Sequence, residues 1–266
     1  MSRELMSHFS LSAMPFDKEI ATSQLLELPT SKKALSSLRL LVETRGIGLL
    51  TGKSGSGKSC LLRKLLDELS PNLYKPLYLC HTSVGLTEFY SHLCVVLGLE
   101  PSGRKSTMFR LIKDRLFQLH RQTRVHPVLV IDEAQLLPNE VLADLRLLTN
   151  FEIDSTNALT LLLCGQETLN QKFGLTILES LANSITVSVL TEGLPKDEAF
   201  GYIEARVAAC GGNPGLFTKN ALTLIHQASL GIFRSLGTIA TASLHRAMAT
   251  DSSTVEAEHV QSVLKR

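Results

Sequence analysis

The chain has 266 residues, 44% of them hydrophobic and 20% charged, with no Trp and a formal net charge of +2. This length suits one large domain or two modest ones, and the composition is that of a globular chain with an aliphatic core. A charge so near neutral excludes a chain-wide polycation, so any nucleic-acid surface has to be local. The five cysteines show no C-x-x-C spacing and mostly lie in apolar runs, which points to reduced thiols and a cytoplasmic setting. The first residues lack a signal-like apolar stretch, and the longest apolar segment, 159–164, is too short to span a bilayer. The histidines, among them His81, His92, His120 and His126, are scattered without metal-ligand spacing.

Residues 1–30 read as an irregular arm with a turn at Met14-Pro15-Phe16. Thr30 or Ser31 opens a helix to about Glu43, with Leu35, Leu38, Leu41 and Val42 at helical spacing. A short apolar strand over 46–51 leads into a glycine-rich loop and a helix from Cys60. A strand at 76–80, helices at 85–99 and 106–119, and an apolar strand at 127–131 follow. A helix at 139–150, a buried strand at 158–165 and an alternating strand at 184–190 complete the pattern. Strands alternating with helices predict an α/β fold with a parallel sheet. Beyond Pro195 only helices are expected, at 196–210, 218–229, 233–249 and 255–264. The expected domains are an arm at 1–30, a core at 31–193 and a small all-helical domain at 194–266.

The loop Gly52-Lys53-Ser54-Gly55-Ser56-Gly57-Lys58-Ser59, followed by Cys60, lies between strand and helix, the context a phosphate-binding loop requires. Gly55 and Gly57 allow the backbone N–H groups to converge on phosphate oxygens, and the helix N-terminus adds positive potential. Lys58 reaches the outer phosphates and Ser59 is suited to ligate Mg²⁺, so ATP with Mg²⁺ is the expected cofactor pair. Asp132 ends the apolar strand and is the second candidate metal ligand. Glu133 immediately after it is placed to polarise an attacking water, which favours hydrolysis over phosphoryl transfer to a small molecule. Gln166 ends the next strand, where its amide would face the γ-phosphate and the water.

Taken together, GKSGSGKS, VLVIDEAQ, LADLRLLTNFE, LLLCGQETL and GIFRSLGTIATASL resemble the AAA+ ATPases grouped with ExeA and the transposon ATPases TniB and TnsC. The resemblance spans nearly the whole chain. It implies a P-loop AAA+ core with a helical lid, ATP-driven oligomerisation into a ring or filament, Gln166 as first sensor, and Arg234 as the lid arginine that touches the γ-phosphate. It also implies an arginine before the last core strand that acts on the neighbouring subunit. No Lys or Arg occurs between Lys172 and Lys196, so that finger is absent and hydrolysis is expected to be slow, with Arg146 or Lys172 as conceivable replacements.

Between Pro101 and His126 seven Lys or Arg residues face a single acid, Asp114. Arg110, Lys113, Asp114, Gln118 and Arg121 share one side of a helical wheel, with Met108, Ile112, Leu116 and Leu119 opposite. This is either a solvated basic face or a phosphate-gripping surface. In TnsC-like proteins the preceding loop tracks a DNA strand, which makes Arg104, Lys105 and Thr107 the candidate contacts to double-stranded DNA. The sequence-level reading is an ATP-hydrolysing regulator of DNA transposition that oligomerises on DNA and recruits a transposase, without a membrane partner. The alternatives are an ExeA-like secretion or pilus-assembly ATPase and a nucleotide-switched scaffold with little turnover. The lack of a span after the lid is taken to favour the first.

Overall fold

The computed structural model describes residues 2–17, 22, 25–80, 84–152 and 155–265. In chain order the elements are α1 (Ser2–His8), α2 (Pro29–Thr44), β1 (Ile47–Gly52), α3 (Lys58–Glu68), β2 (Tyr74–Leu79), α4 (Leu86–Val96) and α5 (Lys105–Gln118). Then come β3 (His126–Ile131), α6 (Asn139–Thr149), β4 (Thr160–Gly165), α7 (Thr168–Lys172), α8 (Glu179–Ala182) and β5 (Ile185–Thr191). The chain closes with α9 (Lys196–Ala209), α10 (Lys219–Ser229), α11 (Phe233–Ala249) and α12 (Ala257–Leu264). It forms two compact units. A sheet unit comprises Lys33–Gly52 and Leu61–Thr191, and a helical unit comprises Met1–Lys32, Lys53–Cys60 and Glu192–Arg266.

In the sheet unit five parallel strands run in the order β2-β3-β4-β1-β5. The three inner strands are buried at every position, because helices cover both faces. Leu129 and Ile131 of β3 turn to one face with α4, α5 and α6, through Phe89, Ile112 and Leu145. Val128 and Val130 turn to the other with α2 and α3, through Leu38, Leu41 and Leu65. The edge strand β5 alternates buried or half-buried with exposed residues, as the spacing of Ile185, Val187 and Val189 predicts. Because the strands are parallel, the residues that follow β1, β3 and β4 all leave one edge of the sheet, the usual position of a ligand site in an open α/β fold.

In the helical unit α9 to α12 bury Ile203, Val207, Leu222, Ile225, Leu236, Leu244 and Val260. Residues 2–8, inside the segment that reads as an irregular arm, form α1, and Leu5, Phe9 and Leu11 join that same core. Three large apolar side chains within seven positions give this short helix enough buried area to dock, at ~1.5–3 kcal/mol each. Phe16 lies 6.5 Å from the Tyr202 ring and 6.4 Å from Phe217. Arg206, only 7% exposed, donates its Nε to the Pro15 carbonyl at 2.7 Å, a partner that a buried guanidinium requires. The rest of the arm, at 18–21 and 23–24, and the noted His81 lie outside the described residues.

The helix read from Thr30 or Ser31 begins at Pro29, the residue best suited to a first helical turn. The Thr30 hydroxyl is instead 2.7 Å from the Glu198 carboxylate. Helix α5 continues into a π-helical turn at Leu119–Thr123. Among the described residues no helix is long and apolar enough to cross a membrane.

Candidate functional site

Within the helical unit, Gly55 and Gly57 of the loop after β1 have φ of 83° and 96°, the left-handed region that side chains disfavour. Both are also crowded. A Cβ on Gly55 would stand 2.5 Å from the Arg234 Cβ, and one on Gly57 would stand 3.2 Å from the Phe233 ring. The loop is thus moulded by the first residues of α11. Arg234 donates its backbone N–H to the Gly55 carbonyl at 3.2 Å and its guanidinium to Ser54 Oγ at 2.8 Å. Lys58, buried as α3 begins, donates its Nζ to the Lys53 carbonyl at 3.0 Å, curling the loop around its own ammonium. Ser56 is buried, while Lys53, Ser54 and Ser59 are exposed. A concave backbone with left-handed glycines, a lysine ammonium and the start of a helix fits a polyphosphate.

In the sheet unit, Asp132 and Glu133 follow β3 directly. Asp132 is 8% exposed, and its carboxylate accepts the Tyr78 hydroxyl at 2.8 Å and the Glu133 N–H at 2.9 Å. Burial, followed by this bond to Asp132, holds the Tyr78 phenol well above its ordinary pKa, so it stays a donor. Glu133 has φ of 52°, a sharp turn for a residue with a side chain. Its Oε2 accepts from Gln135 Nε2 at 2.6 Å. Gln166 is exposed just past β4, and its backbone N–H donates to Gln135 Oε1 at 3.0 Å. At the end of β1, Thr51 Oγ1 accepts from Asn170 at 3.2 Å. The sequence reading missed Tyr78, Gln135 and Asn170. Only Gln135 left a local sign, as the last residue of VLVIDEAQ, while Tyr78 and Asn170 are partners that folding alone brings near.

Of the proposed finger replacements, Lys172 donates its Nζ to the Leu137 carbonyl at 2.7 Å, and burial draws its pKa down. Arg146 reaches Thr149 Oγ1 at 3.4 Å on its own helix.

The basic stretch is sorted by its partners. Met108, Ile112, Leu116 and Leu119 are buried, as their spacing predicts. Arg104 is exposed at the N-cap of α5 and Thr107 is half-buried. Lys105 is ion-paired with Asp144 of α6 and sits 5.6 Å from the centre of the Tyr90 ring, and the Tyr90 hydroxyl completes the cluster by donating to Asp144 at 3.0 Å. Lys113 donates to the Leu147 and Asn150 carbonyls at the end of α6 and lies 3.8 Å from the centre of the Phe151 ring. Arg121 pairs with Glu152 at 2.7 Å.

A five-stranded parallel sheet in this order, with a phosphate loop after its fourth-ranked strand and acids after β3, defines a P-loop NTPase of the AAA type. The chain belongs to the AAA domain family, which matches residues 39–173. It is 31% identical over 247 residues to general secretion pathway protein A of Aeromonas hydrophila, covering 92% of this chain and 45% of that protein. The chain therefore spans less than half the length of this curated relative. Among solved structures it is similar in fold to Cdc6p of Pyrobaculum aerophilum, with a TM-score of 0.67, 19% identity and coverage of 94% of this chain and 70% of that one. The RuvB Holliday junction branch migration motor of Thermotoga maritima matches with a TM-score of 0.60 and 17% identity over 95% of this chain and 72% of its own.

Proposed function

We propose that the chain is a slow ATPase whose helical unit reads whether the phosphate loop holds ATP. The observation that supports this most strongly is the pairing of Arg234 with Ser54 and Gly55, which ties the start of α11 to the phosphate loop. In this reading Gly52, Lys53, Ser54, Gly55, Ser56, Gly57, Lys58, Ser59 and Cys60 hold the phosphates. Mg²⁺, held by Ser59 and Asp132, supplies charge neutralisation at the phosphate oxygens. Glu133 orients and accepts a proton from the attacking water, Gln166 contacts the outer phosphate, and Arg234 exchanges Ser54 for it. Hydrolysis is slow because 173–195 holds no Lys or Arg, and Lys172 is committed to Leu137. The protein would then spend most of its cycle ATP-bound and assembled with its own copies. The test is Mg-ATP binding and steady-state turnover of the wild-type chain against Lys58→Ala. At least a hundredfold loss is expected, about 2.7 kcal/mol, and equal turnover by the two proteins would refute the assignment.

Two settings for such a switch each have one supporting observation. The likeness to a general secretion pathway protein over 92% of the chain favours an assembly ATPase of that kind. The exposed Arg104 beside the half-buried Thr107 favours backbone contacts to double-stranded DNA, and with them a transposase partner. Sedimentation with duplex DNA under ATP and under ADP separates them. ATP-dependent, salt-sensitive retention that Arg104→Ala abolishes supports the DNA setting, and no retention at low salt removes it.

A further inference from the structure

Gln135 stands two residues beyond Glu133, in the short 3₁₀ turn Ala134–Leu136, and both ends of its amide are engaged. Nε2 donates to Glu133 Oε2 at 2.6 Å and Oε1 accepts the Gln166 backbone N–H at 3.0 Å. Only one orientation of the amide serves a carboxylate and an N–H together, so its direction is fixed by its partners. The exit of β4 is shaped to admit it. A Cβ on Gly165 would lie 2.5 Å from Gln135 Oε1 and 3.3 Å from the Gln135 backbone nitrogen. One side chain thus bridges the end of β3 to the end of β4, and glycine at 165 leaves the space for it.

We infer that Gln135 is the positioning residue for Glu133, fixing the orientation of its carboxylate and linking it to the position of Gln166. The inference rests on the reading of Glu133 as the group that activates water. Glu133 sits on a sharp left-handed turn, and its side chain has several rotamers to choose among. A charge-assisted bond to a rigid amide selects one of them, and an amide, unlike an acid, holds a carboxylate without competing for its proton. Because the other end of that amide is bonded to the backbone of Gln166, a displacement of the β4 exit is carried to Glu133 through two hydrogen bonds. Binding energy is untouched by this device; only the fraction of bound ATP facing a correctly aimed carboxylate changes.

The test uses the full chain, with Mg-ATP turnover, binding of a fluorescent ATP analogue and thermal unfolding measured for wild type, E133Q, Q135A, Q135E, G165A and the G165A/Q135A double variant. Q135A is expected to lower kcat roughly 10–100-fold, with analogue affinity within about twofold of wild type. Q135E keeps the acceptor for Gln166 but sets a carboxylate against Glu133, so it should lower the melting temperature and lose at least as much kcat as Q135A. G165A should reproduce Q135A, and the double variant should be no slower than the worse single one, because both break the same bridge. Wild-type turnover by Q135A or Q135E beside an inactive E133Q overturns the role of Gln135 and leaves the parent reading standing. An E133Q protein as active as wild type, or a wild-type chain with no turnover, overturns the parent reading and this one with it.

Discussion

Lys58 and Lys105 are each the first residue of a helix, α3 and α5, and each lies in a stretch that the sequence marks for phosphate. Lys58 curls back to a carbonyl of its own loop, at Lys53, and two left-handed glycines five residues or fewer away set the shape around it. Lys105 is paired with Asp144 and covers Tyr90, one residue from a helix before it and one from a helix after it. The difference teaches where a cation's availability is decided. In the loop, left-handed glycines packed under Phe233 and Arg234 leave the lysine bonded within its own segment. A basic helix face keeps only the charges that no distant acid, carbonyl or ring has claimed, which here leaves Arg104 exposed and engages Lys105, Lys113 and Arg121.

The sharpest test of distant control is His126. Burial first, then the nearby charge of Arg45 and then His120, push its pKa from 6.5 down to about 3, while its Nε2 lies 2.9 Å from Thr160 Oγ1. The unfolded chain takes up a proton near pH 6.5 and the folded chain does not, so acid favours unfolding. Stability should be full above about pH 6.5 and fall by about 1.4 kcal/mol per pH unit from this residue as pH drops towards 3. Chemical denaturation at pH 7.5, 5.5 and 4.5 should show a steeper acid loss for wild type than for His126→Gln. Parallel loss in the two proteins would break the assignment.

The local side of the comparison is tested by Gly55→Ala. The left-handed φ alone costs about 1–2 kcal/mol, and the new methyl also displaces Arg234, so both denaturation midpoint and ATP affinity should fall. A variant as stable as wild type would mean that the loop shape is not set by its glycines. The smallest effect separates the two ends of the basic loop. Lys105→Ala should cost about 0.2–1 kcal/mol, the range of a partly exposed ion pair, whereas Arg104→Ala should stay within roughly 0.5 kcal/mol of wild type. Equal melting temperatures for the two variants would mean that the Asp144 pairing of Lys105 adds nothing to stability.

The same contrast explains what could be read in advance. The sheet was legible because β1, β3 and β4 are continuous apolar runs and β5 alternates, patterns that follow directly from burial on two faces or one. Helix α1 was missed because its apolar residues are few and their partners lie in the C-terminal helices. The glycine-rich loop and the Asp132-Glu133 pair are recognisable as motifs from adjacent residues alone. Tyr78 does not, since nothing near it in the chain indicates that its hydroxyl will meet Asp132.

The helical unit takes its N-terminal helix and the loop Lys53–Cys60 from the first part of the chain and its other helices from the last. On the ribosome, the loop therefore emerges long before Phe233 and Arg234, the residues that pack on its glycines. The sheet unit, finished at Thr191, has all its strands by then and can fold first. A growing chain of this protein accordingly lacks the side chains that pack on Gly55 and Gly57 until synthesis passes the start of α11, so the loop takes its final shape only late in synthesis.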